Sequence, residues 1–210
     1  MEVAAALLVL VSVCLMLRES VWGWPVGAVA VLLYGHVYYE SRLYANMGLQ
    51  AVNLVLQCYG WHRWVHGGRP GRLPIRRATV GHLLAVAIAG LAGTAVLGLT
   101  LGRLTDAAWP FWDAAISSLS LLAQWLLARK LLESWLVWGA VDLLSIGIYL
   151  AQAMYPSLLL YGVLLALSVL GYRRWKKTLG ERGGSLPPPQ KALALWPQSL
   201  FPGTGRGFGA

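Results

Sequence analysis

Two stretches of this chain repeat one pattern, and that repetition constrains the fold more than any other feature. Residues 19–64 open with Glu19-Ser20, pass through Trp22 and Trp24, and reach Tyr44. Residues 133–175 open with Glu133-Ser134, pass through Trp135 and Trp138, and reach Tyr155. Both close on related hexapeptides, Tyr59-Gly60-Trp61-His62-Arg63-Trp64 and Leu170-Gly171-Tyr172-Arg173-Arg174-Trp175. From Tyr44 onward the copies align without a gap. A duplicated apolar unit predicts two similar bundles that meet along a shared seam, and a seam of that kind is where a guest molecule is held.

The repeated sequence is too apolar for a soluble fold. The chain is 58% hydrophobic and 12% charged, whereas an ordinary soluble domain carries about 25% charged residues. Its apolar residues fall in long runs, and a run of ~20 spans the ~30 Å hydrocarbon layer. The fold class is therefore all-α and polytopic. The net charge of +9 would suggest nucleic acid in a soluble protein. Here the basic residues sit between apolar runs, so a lipid bilayer is the expected partner and nucleic acid is not. Cys14 and Cys58 each lie inside an apolar run with no CxxC and no Cys/His cluster, which predicts two buried free thiols. The N-terminus starts Met1-Glu2 with no basic region before the apolar run, so it reads as a spanning helix and not as a leader.

Breaks at Arg18, Arg42, the 67–77 loop, residues 103–110, Arg129-Lys130 and Pro156 predict seven helices. They fall at about 2–17, 22–40, 43–65, 79–101, 111–128, 134–153 and 155–175. The grouping is three, one, three. A three-helix unit ends on the membrane face opposite its start, so a directly joined copy would be inverted. One linking helix restores the orientation and makes the repeats parallel. The units are the first helix (1–17), the rest of repeat 1 (18–66), the loop and linking helix (67–103), repeat 2 (104–177) and a disordered cytoplasmic tail (178–210) containing Pro187-Pro188-Pro189. With the N-terminus outside, only Arg42 and Arg103 of the 17 Lys and Arg residues fall on the outer side. That asymmetry satisfies the positive-inside rule and makes the C-terminus cytoplasmic.

Polar residues inside the spans mark the candidate site. Asp142 lies mid-span, where a carboxylate costs roughly 2.5–3.5 kcal/mol on insertion scales. Trp135, Trp138 and Asp142 stand at i, i+3, i+7 on one helical face. Two indoles and a carboxylate facing one cavity would grip a flat cationic ring. The alternatives are an interfacial anchor for Trp135 and an internal hydrogen bond for Asp142. In the third span Asn46, Gln50, Asn53 and Gln57 fall at i, i+4, i+7, i+11. These amides either bind a sugar's hydroxyls or hold helices together, with Gln50 and Asn53 level with Asp142. Gln124 of the fifth span lies on the inner half and faces the same path. Trp112 and Asp113, at the start of that span, read as interface anchor and helix-start acid. His36, near Tyr34 and Tyr38, is either a packing residue or a proton relay. His62 and His66 lack a carboxylate partner and predict no metal site. No P-loop and no Ser/His/Asp or Cys/His set occurs, so neither catalytic chemistry nor a cofactor is expected.

The run Trp135, Trp138, Asp142, preceded by Arg129-Lys130 and Glu133, resembles the PnuC family of vitamin transporters. Pro110-Phe111-Trp112-Asp113 and Leu49-Gln50 leading to Tyr59-Gly60-Trp61 resemble the same family, over nearly all of residues 18–177. The resemblance implies an enlarged SWEET-like fold and a homotrimer in the cell's inner or plasma membrane. It implies uptake of nicotinamide riboside by facilitated diffusion, without a coupling ion and followed by cytoplasmic phosphorylation on a separate kinase. It places the substrate on Trp135, Trp138 and Asp142. Many members show Asn where this chain has Asp142, which leaves thiamine as the alternative substrate and riboflavin behind it. An ionised Asp142 favours the cationic rings of nicotinamide riboside and thiamine over neutral riboflavin. From other classes, a non-transporting receptor and a proton-coupled carrier working through Asp142 and His36 stay open at this point.

Overall fold

The computed structural model describes residues 1–40, 42, 44–67, 73–104 and 109–184. They form α1 (Glu2–Leu17), α2 (Gly23–Glu40), α3 (Tyr44–His66), α4 (Val80–Leu104), α5 (Pro110–Ala128), α6 (Ser134–Ala151) and α7 (Tyr155–Gly184). The chain is an all-α polytopic membrane protein. Helices α4 to α7 contain stretches long and apolar enough to cross a bilayer, and α1 is a shorter apolar helix. The tyrosines and His36 of α2 and the amides of α3 dilute the hydropathy of those two helices. The clearest departure from expectation is α7, which continues past residue 177 to Gly184. There the Lys177 ammonium stands 3.8 Å from the Glu181 carboxylate, an i, i+4 pair that supports helix outside lipid. The Pro187-Pro188-Pro189 tail and the loop residues Arg69 and Arg72 lie outside the described residues.

Helix α2 packs between α1 and α3, and α6 between α5 and α7. The repeats then meet where α3 touches α5 and α1 touches α7, so the six helices close into a ring. Helix α4 stands outside the ring against α5. Glycines make that approach close: a Cβ on Gly93 or Gly98 would clash with Ser118 or Phe111 of α5. On α2, a Cβ on Gly23 would meet Met16, and one on Gly27 would meet Gln57. The Gly23/Gly27 pair of α2 and Gly98 of α4 thus serve helix packing within the chain.

The duplication is visible in the backbone as well as in the side chains. Glu19 and Lys130 are 111 residues apart, and both adopt left-handed backbone with φ of 58° and 53°. Arg42 and Ala153, at the same separation, do so with φ of 58° and 55°. Each is the left-handed residue that ends a helix. Glu19 N–H donates to Met16 C=O and Ser20 N–H to Leu15 C=O, both at 2.9 Å. Lys130 N–H donates to Leu127 C=O at 2.9 Å and Leu131 N–H to Leu126 C=O at 3.1 Å. This is the same Schellman closure made twice. The packing repeats too: Trp24 lies edge-on to Trp64 and Trp135 edge-on to Trp175, each with centroids 5.4 Å apart. Gly60 backs onto Trp24 as Gly171 backs onto Trp135. One register therefore covers both repeats, and it corrects the alignment of Glu19 with Glu133. The structural counterpart of Glu19 is Lys130, because the turn geometry and the buried tryptophans set the match and the Glu-Ser identity does not.

Candidate substrate cavity

The ring encloses a cavity of about 250 Å³ lined by residues of α1, α2, α3, α5, α6 and α7, with none from α4. The pseudo-symmetry passes through it. Val9 and Ser120, Val13 and Gln124, Gly27 and Trp138, Val31 and Asp142, Gln50 and Tyr161, Asn53 and Leu164, and Gln57 and Ser168 all line the cavity in equivalent pairs. The scaffold is symmetric and the chemistry is not. In most pairs one member is polar or aromatic where the other is small or aliphatic, so the two walls differ.

The wall from repeat 2 carries Trp135, Trp138, Asp142 and Gln124. Asp142 is buried, and its carboxylate accepts the Ser168 hydroxyl at 2.9 Å. That bond from α7 fixes the carboxylate on its helix. A carboxylate has about four acceptor positions, so capacity is left for a guest. Trp138 is half-buried. Trp135 differs: it is 2% exposed, belongs to the aromatic core and has Gly171 against its ring. Its counterpart Trp24 does not line the cavity. Trp135 is therefore mainly a packing residue, although it also lines the cavity. Truncating Trp135 to alanine should cost about 3–5 kcal/mol of stability, read as a lowered unfolding temperature in detergent.

The wall from repeat 1 carries Gln50, Asn53 and Gln57, with Ser12 of α1 and Tyr34 of α2. The Asn53 amide donates to the Gln50 carbonyl oxygen at 3.0 Å, which holds the two as one unit. Asn46 is exposed and does not line the cavity. It shares the stripe but stands one turn too near the start of α3. Gln124 is 6% exposed, and its Nε2 has no hydrogen-bond partner among the described residues.

The floor is aromatic. Met16, Leu127 and Trp135 belong both to the cavity lining and to the buried core below it. In that core Trp24, Trp64, Trp175 and Trp135 run in sequence, with Trp64 and Trp175 6.1 Å apart across the pseudo-axis. Trp64 Nε1 donates to Leu127 C=O at 3.3 Å, which ties α3 to α5. The equivalent turns of the two repeats are joined by Lys130 Nζ and Glu19 Oε2 at 3.0 Å, with side chains 3% and 14% exposed. The same ammonium lies 4.4 Å from the centre of the Trp64 ring. A strap of residues 73–78 covers the α5–α6 turn. Arg76 N–H donates to Lys130 C=O at 3.0 Å, Leu132 N–H donates to Arg76 C=O at 2.9 Å, and Ala78 N–H donates to the Glu133 carboxylate at 2.6 Å. Sequence reasoning missed this closure, although the matched spacing of Glu19 and Lys130 was there to be found.

Other singled-out residues lie elsewhere. His36 is exposed, stands 3.4 Å from Glu40 and does not line the cavity, so it forms no relay with Asp142. Trp112 donates its indole N–H to Leu144 C=O at 2.9 Å and ties α5 to α6. His62 and His66 stack at 4.7 Å on the α3 surface, and no cluster of metal-ligating groups occurs among the described residues. Cys14 and Cys58 are free but exposed, not buried as expected. On helices in a bilayer, that surface is the lipid face.

Comparison with known proteins agrees with this architecture. The family model described as nicotinamide mononucleotide transporter matches residues 1–177. The nicotinamide riboside transporter PnuC of Escherichia coli (strain K12) is 27% identical over 191 residues, covering 79% of this chain and 80% of that protein. The riboflavin/roseoflavin transporter RibM of Streptomyces davaonensis is 30% identical over 179 residues, covering 83% of each. The crystal structure of the vitamin B3 transporter PnuC superposes with a TM-score of 0.69 at 26% identity, covering 86% of this chain and 82% of that one.

Proposed function

The chain belongs to the nicotinamide mononucleotide transporter family, and from that premise we propose that it carries nicotinamide riboside across the membrane by facilitated diffusion. The observation that carries the reading is the cavity between the repeats, with Trp138 and Asp142 on one wall and Gln50 and Asn53 on the other. Trp138 gives the pyridinium ring an aromatic face, and Asp142 gives its charge a counter-ion. Trp135 contributes only the small part of its surface that lines the cavity. Gln50, Asn53 and Gln124 bond the ribose. Asn46, remote from the cavity, is left out of the site.

The lining also argues for the nucleoside over its phosphate. No Lys, Arg or His lines the cavity among the described residues. A mononucleotide's phosphate would meet Asp142 with no cation to offset the repulsion. Riboflavin is the second reading, because RibM is among the relatives. Its neutral ring draws nothing from Asp142, and cationic thiamine remains the other candidate.

Transport is a rocking of one repeat against the other about the α3–α5 and α1–α7 contacts, with the aromatic floor parting on the cytoplasmic side. The N-terminus faces outward and the C-terminus inward. A separate cytoplasmic kinase then traps the vitamin. The homotrimer rests on family resemblance alone, and its test is the mass of the detergent-solubilised particle.

The test of function is uptake of labelled nicotinamide riboside into liposomes that contain only this protein. The expected label equilibrates at equal concentration inside and outside, with or without a pH gradient. Label retained only in proportion to protein would mark a receptor, and accumulation driven by the gradient would mark a proton-coupled carrier. Trp138→Ala should weaken binding by about 2 kcal/mol, near 30-fold, if the ring is desolvated against the indole. Calorimetric titration of the purified variant checks this.

A further inference from the structure

Gln57 is 8% exposed and lines the cavity. Its Oε1 has no hydrogen-bond partner among the described residues. A buried carbonyl oxygen left unpaired costs about 1–3 kcal/mol, so its retention points to a partner supplied from outside the chain.

The duplication shows what this position does when it is satisfied internally. The counterpart of Gln57 is Ser168, whose hydroxyl is spent on Asp142 at 2.9 Å. The counterpart of Asp142 is Val31, which offers Gln57 nothing. The copies differ again one turn earlier on the second helix of each repeat, where Gly27 stands opposite Trp138. A Cβ on Gly27 would come within 2.6 Å of Gln57 Nε2 and 2.9 Å of Ser12 Oγ. The missing side chain makes room for the Gln57 amide against α1 and α2. Ser12 donates its hydroxyl to Gly23 C=O at 2.7 Å, so its oxygen keeps lone pairs to accept with. Repeat 2 thus fills its half of the cavity with an indole and a carboxylate. Repeat 1 leaves space lined by the Gln57 amide and the Ser12 hydroxyl.

We propose that Gln57 and Ser12, admitted by Gly27, form a hydroxyl-binding subsite that takes the polyol part of the substrate while Trp138 and Asp142 hold its ring. The proposal rests on the cationic-ring reading above and extends it to residues outside that assignment. A sugar hydroxyl donates to Gln57 Oε1, and the unpaired Nε2 of Gln124 supplies a donor to the same face of the sugar. Gly27 then sets specificity by space, since any side chain there displaces the amide.

The test is calorimetric titration of the purified full chain with two probes that share a charged ring, nicotinamide riboside and N1-methylnicotinamide, which lacks the sugar. Gln57→Leu should weaken the riboside about tenfold and leave N1-methylnicotinamide unchanged. Gly27→Ala should reproduce the pattern without removing the amide. Equal weakening of both probes, or of neither, would overturn the subsite and make Gln57 a packing residue. Unchanged unfolding temperatures in the variants support the subsite, whereas a riboside loss that tracks lost stability counts against it. Wild-type protein that binds neither charged probe overturns the ring reading, and the subsite with it.

Discussion

Replacing Asp142 with alanine is expected to lower affinity for nicotinamide riboside at least ~30-fold, because truncating one partner of a buried charged contact costs about 2–5 kcal/mol. The carboxylate is buried, lines the cavity and is oriented by the Ser168 hydroxyl at 2.9 Å. No cation lines the cavity among the described residues to serve as its internal counter-charge. A cationic guest would fill that role. Asp142→Asn separates charge from shape. The amide oxygen still accepts from Ser168 and the side-chain volume is nearly unchanged. Nicotinamide riboside and thiamine should then lose affinity, and neutral riboflavin should not. Titration of the three vitamins against wild type and both variants reads this directly. A riboside affinity that survives Asp142→Ala would remove the carboxylate from the site.

Lys130→Ala is expected to cost about 3–5 kcal/mol of stability, the cost of breaking a buried ion pair and leaving its partner charged. Glu19 is its carboxylate at 3.0 Å, and the lost contact with the Trp64 ring adds to the effect. The pair joins equivalent turns of the two repeats, so exchanging the charges keeps the bridge. The double variant Glu19→Lys with Lys130→Glu should therefore recover part of the loss, which thermal unfolding in detergent measures. Recovery would be absent if the ammonium were held mainly by the Trp64 ring. Because the bridge lies at the floor of the cavity, the single variant should also raise uptake in the absence of trapping. A liposome assay separates that effect from lost stability.

The seven helices were legible because charge, proline and glycine interrupt runs of nearly constant apolar character. Helix α7 exceeded its expected length by the most, and its extra turns are polar. The duplication was legible, but its register near the start of each copy was not. The Glu-Ser pairs drew the alignment, while Glu19 and Lys130 share no chemistry and match only in backbone conformation. Trp24 and Trp135 carried the correct spacing all along. That Asp142 and Trp138 line one cavity was legible from their depth and shared face. The bond from Ser168 could not, because the rotation of α7 against α6 follows from packing. Helical spacing also grouped Trp135 with Trp138, although Gly171 and Trp175 draw Trp135 into the core. Asn46 shows the same limit along the helix axis: a face is set by periodicity, and depth is set by where the neighbouring helices begin.

A structure of the protein bound to nicotinamide riboside tests the central claim most directly. The account predicts ligand density between the repeats, with the pyridinium ring against Trp138 beside the Asp142 carboxylate and the ribose turned toward α3. Density confined to the outer surface of the ring, or a cavity that stays empty at saturating ligand while the vitamin is still transported, would contradict it.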